Sequence, residues 1–395
     1  MKKIKDENQI LVMLAFFSIS MGLWENFRQL WLQDNHFTPT NISNIISIGT
    51  LISVIGIMLI GKYIKLDKLK RFVNCSLIIK FLNSIILLSL NNKGNINSIN
   101  ISIILDVVTG YLITTSIYPL ITTIIKNNTI YSKRKLTEYL FKDIGILIGG
   151  LLIGRNIIGV LVDYNMCLLI SIIFLAISVI IMFNISDNKA VQTIPSEKIQ
   201  IIKYILKRKV QVIYAIYTFI GSMAMMTALG LKILTLTNYF NFTDNGATNY
   251  LLIVGLIADA IGILALKFFT PKNDYITITI KFGMRFIAYT IAFLSNNIMI
   301  TLISITWSIL ISTAYENITD GYYINEVENK YQLALTNFRY VVRYLGEAAG
   351  IFLCGIMYEI GLRYMFGLSA FFMIFQIGLA YYLIYLRKNV EKNIK

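Results

Sequence analysis

Charged residues, histidine and cysteine are all scarce in this 395-residue chain. Asp, Glu, Lys and Arg make up 14% of it, against 56% hydrophobic residues, and the mean hydropathy is +0.67. A soluble globular chain of this length carries more charge, so the composition excludes that class and indicates a protein of the lipid bilayer. The single histidine, His36, lies in a short polar segment, and the sequence has no His cluster to ligate haem, iron or zinc.

Several familiar motifs are missing too. Cys75, Cys167 and Cys354 lie in or beside apolar segments without C-x-x-C spacing, which indicates neither a metal site nor a disulfide framework. No G-x-x-x-x-G-K-[ST] sequence is present, so we expect no ATP hydrolysis and no cofactor, and an ion gradient remains as the energy source. The first apolar stretch is too long for a signal peptide and lacks a small-residue cleavage site, so we expect a retained first span.

Twelve apolar segments are long enough to cross a membrane, since a spanning helix needs about 20 mostly apolar residues. We predict spans near residues 10–32, 42–61, 72–90, 98–125, 140–162, 165–185, 210–236, 247–268, 275–294, 297–324, 332–357 and 363–386. The predicted fold class is therefore an all-α integral membrane protein.

The net charge of +15 is concentrated in alternate loops. Lys and Arg crowd the segments 62–71, 126–142 and 189–209, whereas the segments 33–41 and 237–246 contain neither residue. This alternation follows the positive-inside rule and favours contact with anionic lipid headgroups rather than with nucleic acid. We therefore expect a multi-pass protein of the cell membrane with both termini in the cytoplasm, and we expect a monomer.

The chain divides into two similar halves. We predict an N-terminal six-helix bundle over residues 1–186, a cytoplasmic central loop over 187–209 and a C-terminal six-helix bundle over 210–395. Segments in spans two, four and five have counterparts in spans eight, ten and eleven, about 200 positions later. The expected architecture is thus twelve transmembrane helices arranged as two pseudo-symmetric six-helix bundles.

Glycine spacing gives the clearest of these matches. Spans five and eleven each contain three glycines, spaced by four and then five residues: Gly145, Gly149 and Gly154, then Gly346, Gly350 and Gly355. Glycine at four-residue spacing in a membrane helix lets a neighbouring backbone approach closely. We expect all six to serve packing or gating.

Two six-span halves around a basic central loop resemble the major facilitator superfamily, over nearly the whole chain. Span five is similar to the family motif G-x-x-x-G-P-x-x-G-G, with Gly150 at the proline position and Ile153 at a glycine position. Span four shows the family pattern R-x-x-x-G as Asp106 to Gly110, an acid in place of the arginine. The loop beginning at Gly61 resembles the signature G-x-x-x-D-R-x-G-R-R, but its aspartate, Asp67, comes late. The resemblance implies alternating access around a site lined by spans one, four, seven and ten.

Ionisable residues inside spans are the candidates for function, because each costs a few kcal/mol or more at the bilayer centre. Glu25 and Arg28 share one face of span one, and Asp106 lies at a similar depth in span four. We expect Arg28 to pair with Asp106 and to leave Glu25 to titrate. The alternatives are an outer-leaflet structural ion pair and an interface anchored by the flanking Trp24 and Trp31.

The C-terminal half contains further candidates. Span ten carries Glu316 and Asp320 one turn apart, and span eleven carries Arg339, Arg343 and Glu347 at helical spacing. These five residues are expected to form interhelical ion pairs that close an inner gate, a solute or proton site, or both. A second network is expected from Asp259, Lys281 and Arg285, while Lys80 is expected to snorkel or to pair locally.

Three functions remain open from the sequence. The first is a proton-coupled secondary transporter of a small organic solute, with export favoured over uptake by the span-five resemblance. The second is a membrane-embedded enzyme acting on lipid, for which the sequence offers no catalytic His or Asp cluster. The third is a transporter-like sensor without flux.

Overall fold

The computed structural model is helical throughout the described chain except for one short hairpin. The described backbone covers residues 2–63, 68–90, 95–124, 130–153, 156–157, 160–161, 163–185, 205–268, 282–324 and 329–394. The described side chains are those of residues 8–25, 27–60, 68–90, 95–117, 120, 137–153, 163–185, 205–258, 260–261, 282–311 and 338–386.

The elements follow one another as helices joined by short connections. In the first half they are α1 (Lys2–Asp34), α2 (Pro39–Tyr63), α3 (Leu69–Leu90), α4 (Ile96–Ile124), α5 (Ile130–Leu152), β1 (Asn156–Ile157), β2 (Val160–Leu161) and α6 (Tyr164–Asn184). In the second half they are α7 (Lys209–Leu229), α8 (Lys232–Asn238), α9 (Asp244–Phe268), α10 (Met284–Leu294), α11 (Ile298–Ile324), α12 (Asn329–Ile360) and α13 (Leu362–Ile394).

The helices are those of a multi-pass integral membrane protein. Eight segments of described residues are long and apolar enough to cross a bilayer, and one of them, Lys209–Asn238, contains both α7 and α8. Two shorter apolar segments are Met284–Leu294 and Ile298–Ile311. With α7 and α8 as one span, the fold comprises twelve membrane helices, as the hydropathy pattern predicts.

Local chemistry explains several helix ends. Asp163 caps α6, since its carboxylate accepts a hydrogen bond from the Met166 N–H at 3.0 Å. Pro39 is the first residue of α2, where proline has no intrahelical N–H bond to lose. Gly361 separates α12 from α13 with a φ of 149°, a conformation that favours glycine.

Both halves use the same packing pattern. In the first half α1 packs on α5 and α6, and α3 packs on α4 and α6. In the second half α7 packs on α12 and α13, and α10 packs on α11 and α13. The predicted pair of pseudo-symmetric six-helix bundles is therefore confirmed.

The chain forms two compact units, each with its own core. The first contains Met1–Thr38, Ile48–Ser196 and Asn241–Leu252, and the second contains Pro39–Ser47, Glu197–Phe240 and Ile253–Lys395. Leu14, Leu77 and Ile117 lie in the core of the first unit. Phe282, Tyr289 and Phe366 lie in the core of the second.

Two predicted spans differ from the structure. Span five was expected over residues 140–162, but α5 begins at Ile130, and the chain forms the β1–β2 hairpin at 156–161. The hydropathy signal misses the start of α5 because its first turns are rich in Lys and Arg. Span seven is broken after α7, where Leu231 departs from helical geometry with φ −113° and ψ 38°.

Candidate functional site

The candidate site lies in the first unit, around a carboxylate at mid-membrane depth. Asp106 comes ten residues after Ile96, the first residue of α4. At 1.5 Å per residue it lies about 15 Å along the helix, halfway across a hydrocarbon core of about 30 Å. Its exposed fraction is only 1%.

Three side chains from two other helices bind this carboxylate. The Arg28 Nη1 of α1 donates to Asp106 Oδ2 at 2.9 Å, and the Lys80 Nζ of α3 lies 2.5 Å from Oδ1. The same Lys80 Nζ donates to the backbone carbonyl of Asp106 at 3.0 Å. The Trp24 indole Nε1 donates to Oδ2 at 3.2 Å. We call Trp24, Arg28, Lys80 and Asp106 the buried ion cluster.

Helix geometry brings the cluster together. Trp24 and Arg28 are four residues apart on α1 and therefore lie on one face. Lys80 precedes the end of α3 at Leu90 by ten residues, and Asp106 follows the start of α4 by ten, so the two face each other across an antiparallel helix pair. All four residues are at least nine-tenths buried.

The cluster contains two cations and one carboxylate. Burying a charge is expensive unless it is paired, and a buried pair is weak evidence for stability because desolvation offsets much of the attraction. The carboxylate of Glu25, three residues before Arg28, also interacts electrostatically with both cations. Among the described residues, the buried Nε of Arg28 has no hydrogen-bond partner. The cluster therefore has a free donor.

The sequence-based interpretation of this region was correct in part. The expected pairing of Arg28 with Asp106 is confirmed. Of the two alternatives for Lys80, the structure shows local pairing and not snorkelling, because its ammonium is buried on Asp106. Trp24 and Lys80 were missed as members of the site, although the mirrored positions of Lys80 and Asp106 in adjoining spans are visible in the sequence.

Glu25 was expected to be left to titrate, which stays a prediction, but the structure gives its carboxylate a partner that was not expected. Lys142 of α5 forms an ion pair with the Glu25 carboxylate. The two side chains are 29% and 38% exposed, far more than those of the buried ion cluster. Lys142 was assigned to a cytoplasmic loop, but it lies within α5, thirteenth from Ile130, because α5 begins earlier than predicted.

In the second unit, Arg343 and Glu347 come together on α12. Arg343 Nε donates to Glu347 Oε1 at 2.7 Å, and Glu347 is 3% exposed. This pair lies within one helix at i,i+4. Both side chains have further partners, and the expected interhelical ion pairs stay a prediction. Arg339, one turn earlier, is half-buried and also has a partner.

Some predicted residues lie outside the described part of the chain. They are Gly154 and the side chains of Asp259, Lys281, Glu316 and Asp320. The expected roles of Glu316 and Asp320 and the network of Asp259, Lys281 and Arg285 stay predictions, although Arg285 itself is described and has no ion pair with a described carboxylate.

The described glycines of spans five and eleven lie where helices approach closely. A Cβ at Gly145 would overlap the carbonyl oxygen of Ile19 on α1, and a Cβ at Gly346 would overlap that of Phe219 on α7. Gly149 faces the Phe27 ring, and Gly350 faces the Met223 carbonyl. Gly355 faces Ser43 of α2, in the same unit.

No protein-family profile matches the sequence, and no curated protein matches it. Solved structures do match the fold. A bacterial homologue of the human lysosomal transporter Spinster, in an inward-facing and unoccupied conformation, is 11% identical, with a TM-score of 0.70 and 97% of each chain covered.

Two further structures match over similar lengths. A point mutant of the nucleoside transporter NupG is 11% identical, with a TM-score of 0.69 over 96% of this chain and 99% of its own. A D-xylose–proton symporter is 12% identical, with a TM-score of 0.67 over 94% of this chain and 96% of its own. At these identities the similarity establishes the fold.

Proposed function

We propose that this chain, which has the fold of the major facilitator superfamily, is a secondary active transporter that moves a small organic solute by alternating access. The solved structures with this fold include a nucleoside transporter and a D-xylose–proton symporter, by their own descriptions. That similarity supports transport as the class of function.

The observation that carries the proposal is the buried ion cluster. Arg28, Lys80 and Asp106 are buried inside membrane helices at a desolvation cost of several kcal/mol per ion. Charges at this depth are rare, and they commonly mark a solute or ion pathway. The indole of Trp24 adds an aromatic face on which a solute ring can stack. We therefore assign solute binding in the first unit to this cluster.

Proton coupling is assigned to the pair formed by Glu25 and Lys142. A proton delivered to Glu25 removes the charge that Lys142 binds. Losing this pair removes an ionic contact between α1 and α5, and we assign the coupling to that change. The partial exposure of both side chains gives a proton a route from water.

Direction and location are part of the proposal. Export is favoured by the glycine pattern of α5, in which Gly145 and Gly149 match a motif typical of antiporters. The alternation of basic loops supports cytoplasmic termini in the cell membrane. We assign the protein as a monomer, since each of its two units has its own core.

The test uses purified full-length protein in proteoliposomes that contain a pH-sensitive dye. Nucleosides, pentoses and organic anions are added outside as separate solute classes, and proton movement is recorded. We expect one class to move protons with the wild-type protein and Glu25→Gln to abolish that movement while solute exchange continues.

The control is Glu359→Gln, which changes an exposed glutamate near the end of α12. It is expected to behave like the wild type. Proton movement that persists at the wild-type rate in Glu25→Gln contradicts the coupling assignment. Lipid chemistry that proceeds without any gradient or solute flux contradicts transport itself.

A further inference from the structure

The second unit contains a buried arginine that has no acidic partner among the residues whose side chains are described. Arg285 of α10 is 4% exposed. Its Nη2 donates to the Tyr289 hydroxyl at 3.3 Å, and its guanidinium carbon lies 5.8 Å from the centroid of the same ring. The Nε of Arg285 has no hydrogen-bond partner, and none of the described carboxylates forms an ion pair with it.

The first unit provides an internal reference for this residue. There, α3 and α4 place Lys80 and Asp106 at the same depth. In the repeat, α10 and α11 replace α3 and α4, and Arg285 precedes the end of α10 at Leu294 by nine residues. Ser308 follows the start of α11 at Ile298 by ten residues. Ser308 therefore stands where the first unit has its carboxylate.

Unsatisfied hydroxyls surround the same core. Ser308 is fully buried, and its Oγ has no hydrogen-bond partner. It follows Ile305 by three residues, so it shares a face with a member of the core that includes Tyr289. On α13, Ser369 is equally buried and unsatisfied, three residues after Phe366, which stacks on Tyr289.

An isolated buried charge is far more costly than a buried pair, and buried hydroxyls without partners add to that cost. A ligand that brings negative charge and acceptor oxygens removes both costs. We propose that Arg285, Tyr289 and Ser308 form an anion-binding site for a carboxylate or phosphate group. As the solute's charged end, that ligand makes the substrate an organic anion, an assignment that rests on the transporter function proposed above.

The chemistry suits an oxyanion. A guanidinium presents N–H donors in a planar fork that matches carboxylate and phosphate oxygens. The Tyr289 hydroxyl accepts from Arg285 and retains its own proton to donate. The Ser308 hydroxyl supplies another donor. A carboxylate or a phosphate of an anionic lipid carries the same acceptor oxygens, so the experiment includes both sources.

Thermal unfolding of the purified full-length protein in a neutral detergent measures binding. Succinate is compared with succinamide, and glycerol 3-phosphate with glycerol; phosphatidylglycerol is tested separately. For an anion that occupies the site we expect the Tm of the wild type to rise by about 2 °C or more, with no rise for its neutral match. Arg285→Gln is expected to raise the anion concentration needed for half of the Tm rise by about thirtyfold or more. Arg285→Lys is expected to retain part of the affinity for the anion.

Ser308→Asp is the sharpest variant, because it supplies the carboxylate that the first unit has at this depth. It is expected to raise the Tm without ligand and to remove the response to anions. Ser308→Ala is expected to weaken the response. Ser304→Ala is the matched control one turn away, since the Ser304 hydroxyl already donates to the Ile300 carbonyl at 2.8 Å, and it is expected to leave the response unchanged.

The proposal is overturned if no anion raises the Tm of the wild type, or if Arg285→Gln responds as the wild type does. A response to phosphatidylglycerol alone supports the anion site but overturns the solute as its occupant. Transport of a neutral solute that is unaffected by Arg285→Gln overturns the anionic substrate and leaves the transporter function standing. Anion binding that depends on Arg285, together with no flux of any solute, supports the anion site and overturns the transporter function.

Discussion

At the scale of single residues, Asp106 determines how the buried charges of the first unit are arranged. Its two oxygens bind cations from different helices, Arg28 at 2.9 Å and Lys80 at 2.5 Å. Removal of one partner from a buried ion cluster leaves an uncompensated charge, which costs more than the intact pair contributes. The energetic consequence of a substitution therefore depends on which member is lost.

Asp106→Asn is expected to lower the free energy of unfolding by about 3–5 kcal/mol, because two buried cations lose their carboxylate. Thermal unfolding in detergent measures the loss. Combining Asp106→Asn with Lys80→Met leaves one buried cation without a carboxylate instead of two, so the double variant should recover part of the stability. Equal losses in the single and double variants would show that the charges do not interact.

The pairing of Arg28 with Asp106 was predictable from sequence, since opposite charges at similar depth in neighbouring spans rarely remain apart. The pairing of Lys80 with Asp106 could not be predicted in the same way, because a long aliphatic stem allows the ammonium either to snorkel or to be buried. Likewise, Glu25 was assigned no partner because Lys142 was counted with a loop. Hydropathy alone does not distinguish a charged helical turn from a charged loop.

At the scale of helices, close approach between α1 and α5 and between α7 and α12 holds each unit together. Gly145 faces the backbone of α1 at Ile19, and Gly346 faces the backbone of α7 at Phe219. Backbone atoms cannot move aside as a flexible side chain can. The predicted glycine repeat thus corresponds to equivalent helix contacts in both halves.

Gly145→Ala is expected to destabilise the protein by about 1–3 kcal/mol, because the added methyl group forces α1 and α5 apart. Gly378→Ala is a matched control in α13, where a Cβ would meet nothing within 4 Å. It should stabilise by about 0.5–1 kcal/mol, since glycine inside a helix is entropically costly. Thermal unfolding compares the two, and a Gly145→Ala protein as stable as the wild type would refute the close contact.

The break between α7 and α8 is supported by side chains of α12. The Tyr358 hydroxyl donates to the Leu234 carbonyl at 2.9 Å and accepts from Asn238 Nδ2 at 3.1 Å. Tyr358→Phe is expected to cost about 1–2 kcal/mol in thermal unfolding, because buried groups lose their partner. Tyr385→Phe, at a ring 57% exposed, should change stability by less than about 0.5 kcal/mol. Equal changes in stability for Tyr358→Phe and Tyr385→Phe would show that the hydrogen bonds of the Tyr358 hydroxyl do not stabilise the break.

Hydropathy located α3 and α6 well, and their observed ends lie within a few residues of the prediction. It located α5 poorly, because the first turns of that helix are rich in basic residues. The break after Leu229 was also missed. No proline marks it, and the apolar run continues across it.

At the scale of the whole molecule, internal repetition was the most informative sequence feature. The glycine spacing predicted two similar halves, and the same pattern of helix packing occurs in both. The halves differ in their charges. The first unit neutralises Lys80 with Asp106, whereas none of the described carboxylates of the second unit forms an ion pair with Arg285.

The account stands on the claim that the buried ion cluster serves transport, and solute exchange in proteoliposomes tests it most directly. The double variant Asp106→Asn with Lys80→Met keeps one buried cation and is expected to fold. Because it loses the charged hydrogen bonds of two residues, exchange should fall about tenfold to a hundredfold relative to the wild type. Exchange at the wild-type rate in the folded double variant would make the cluster a structural ion pair and contradict the account.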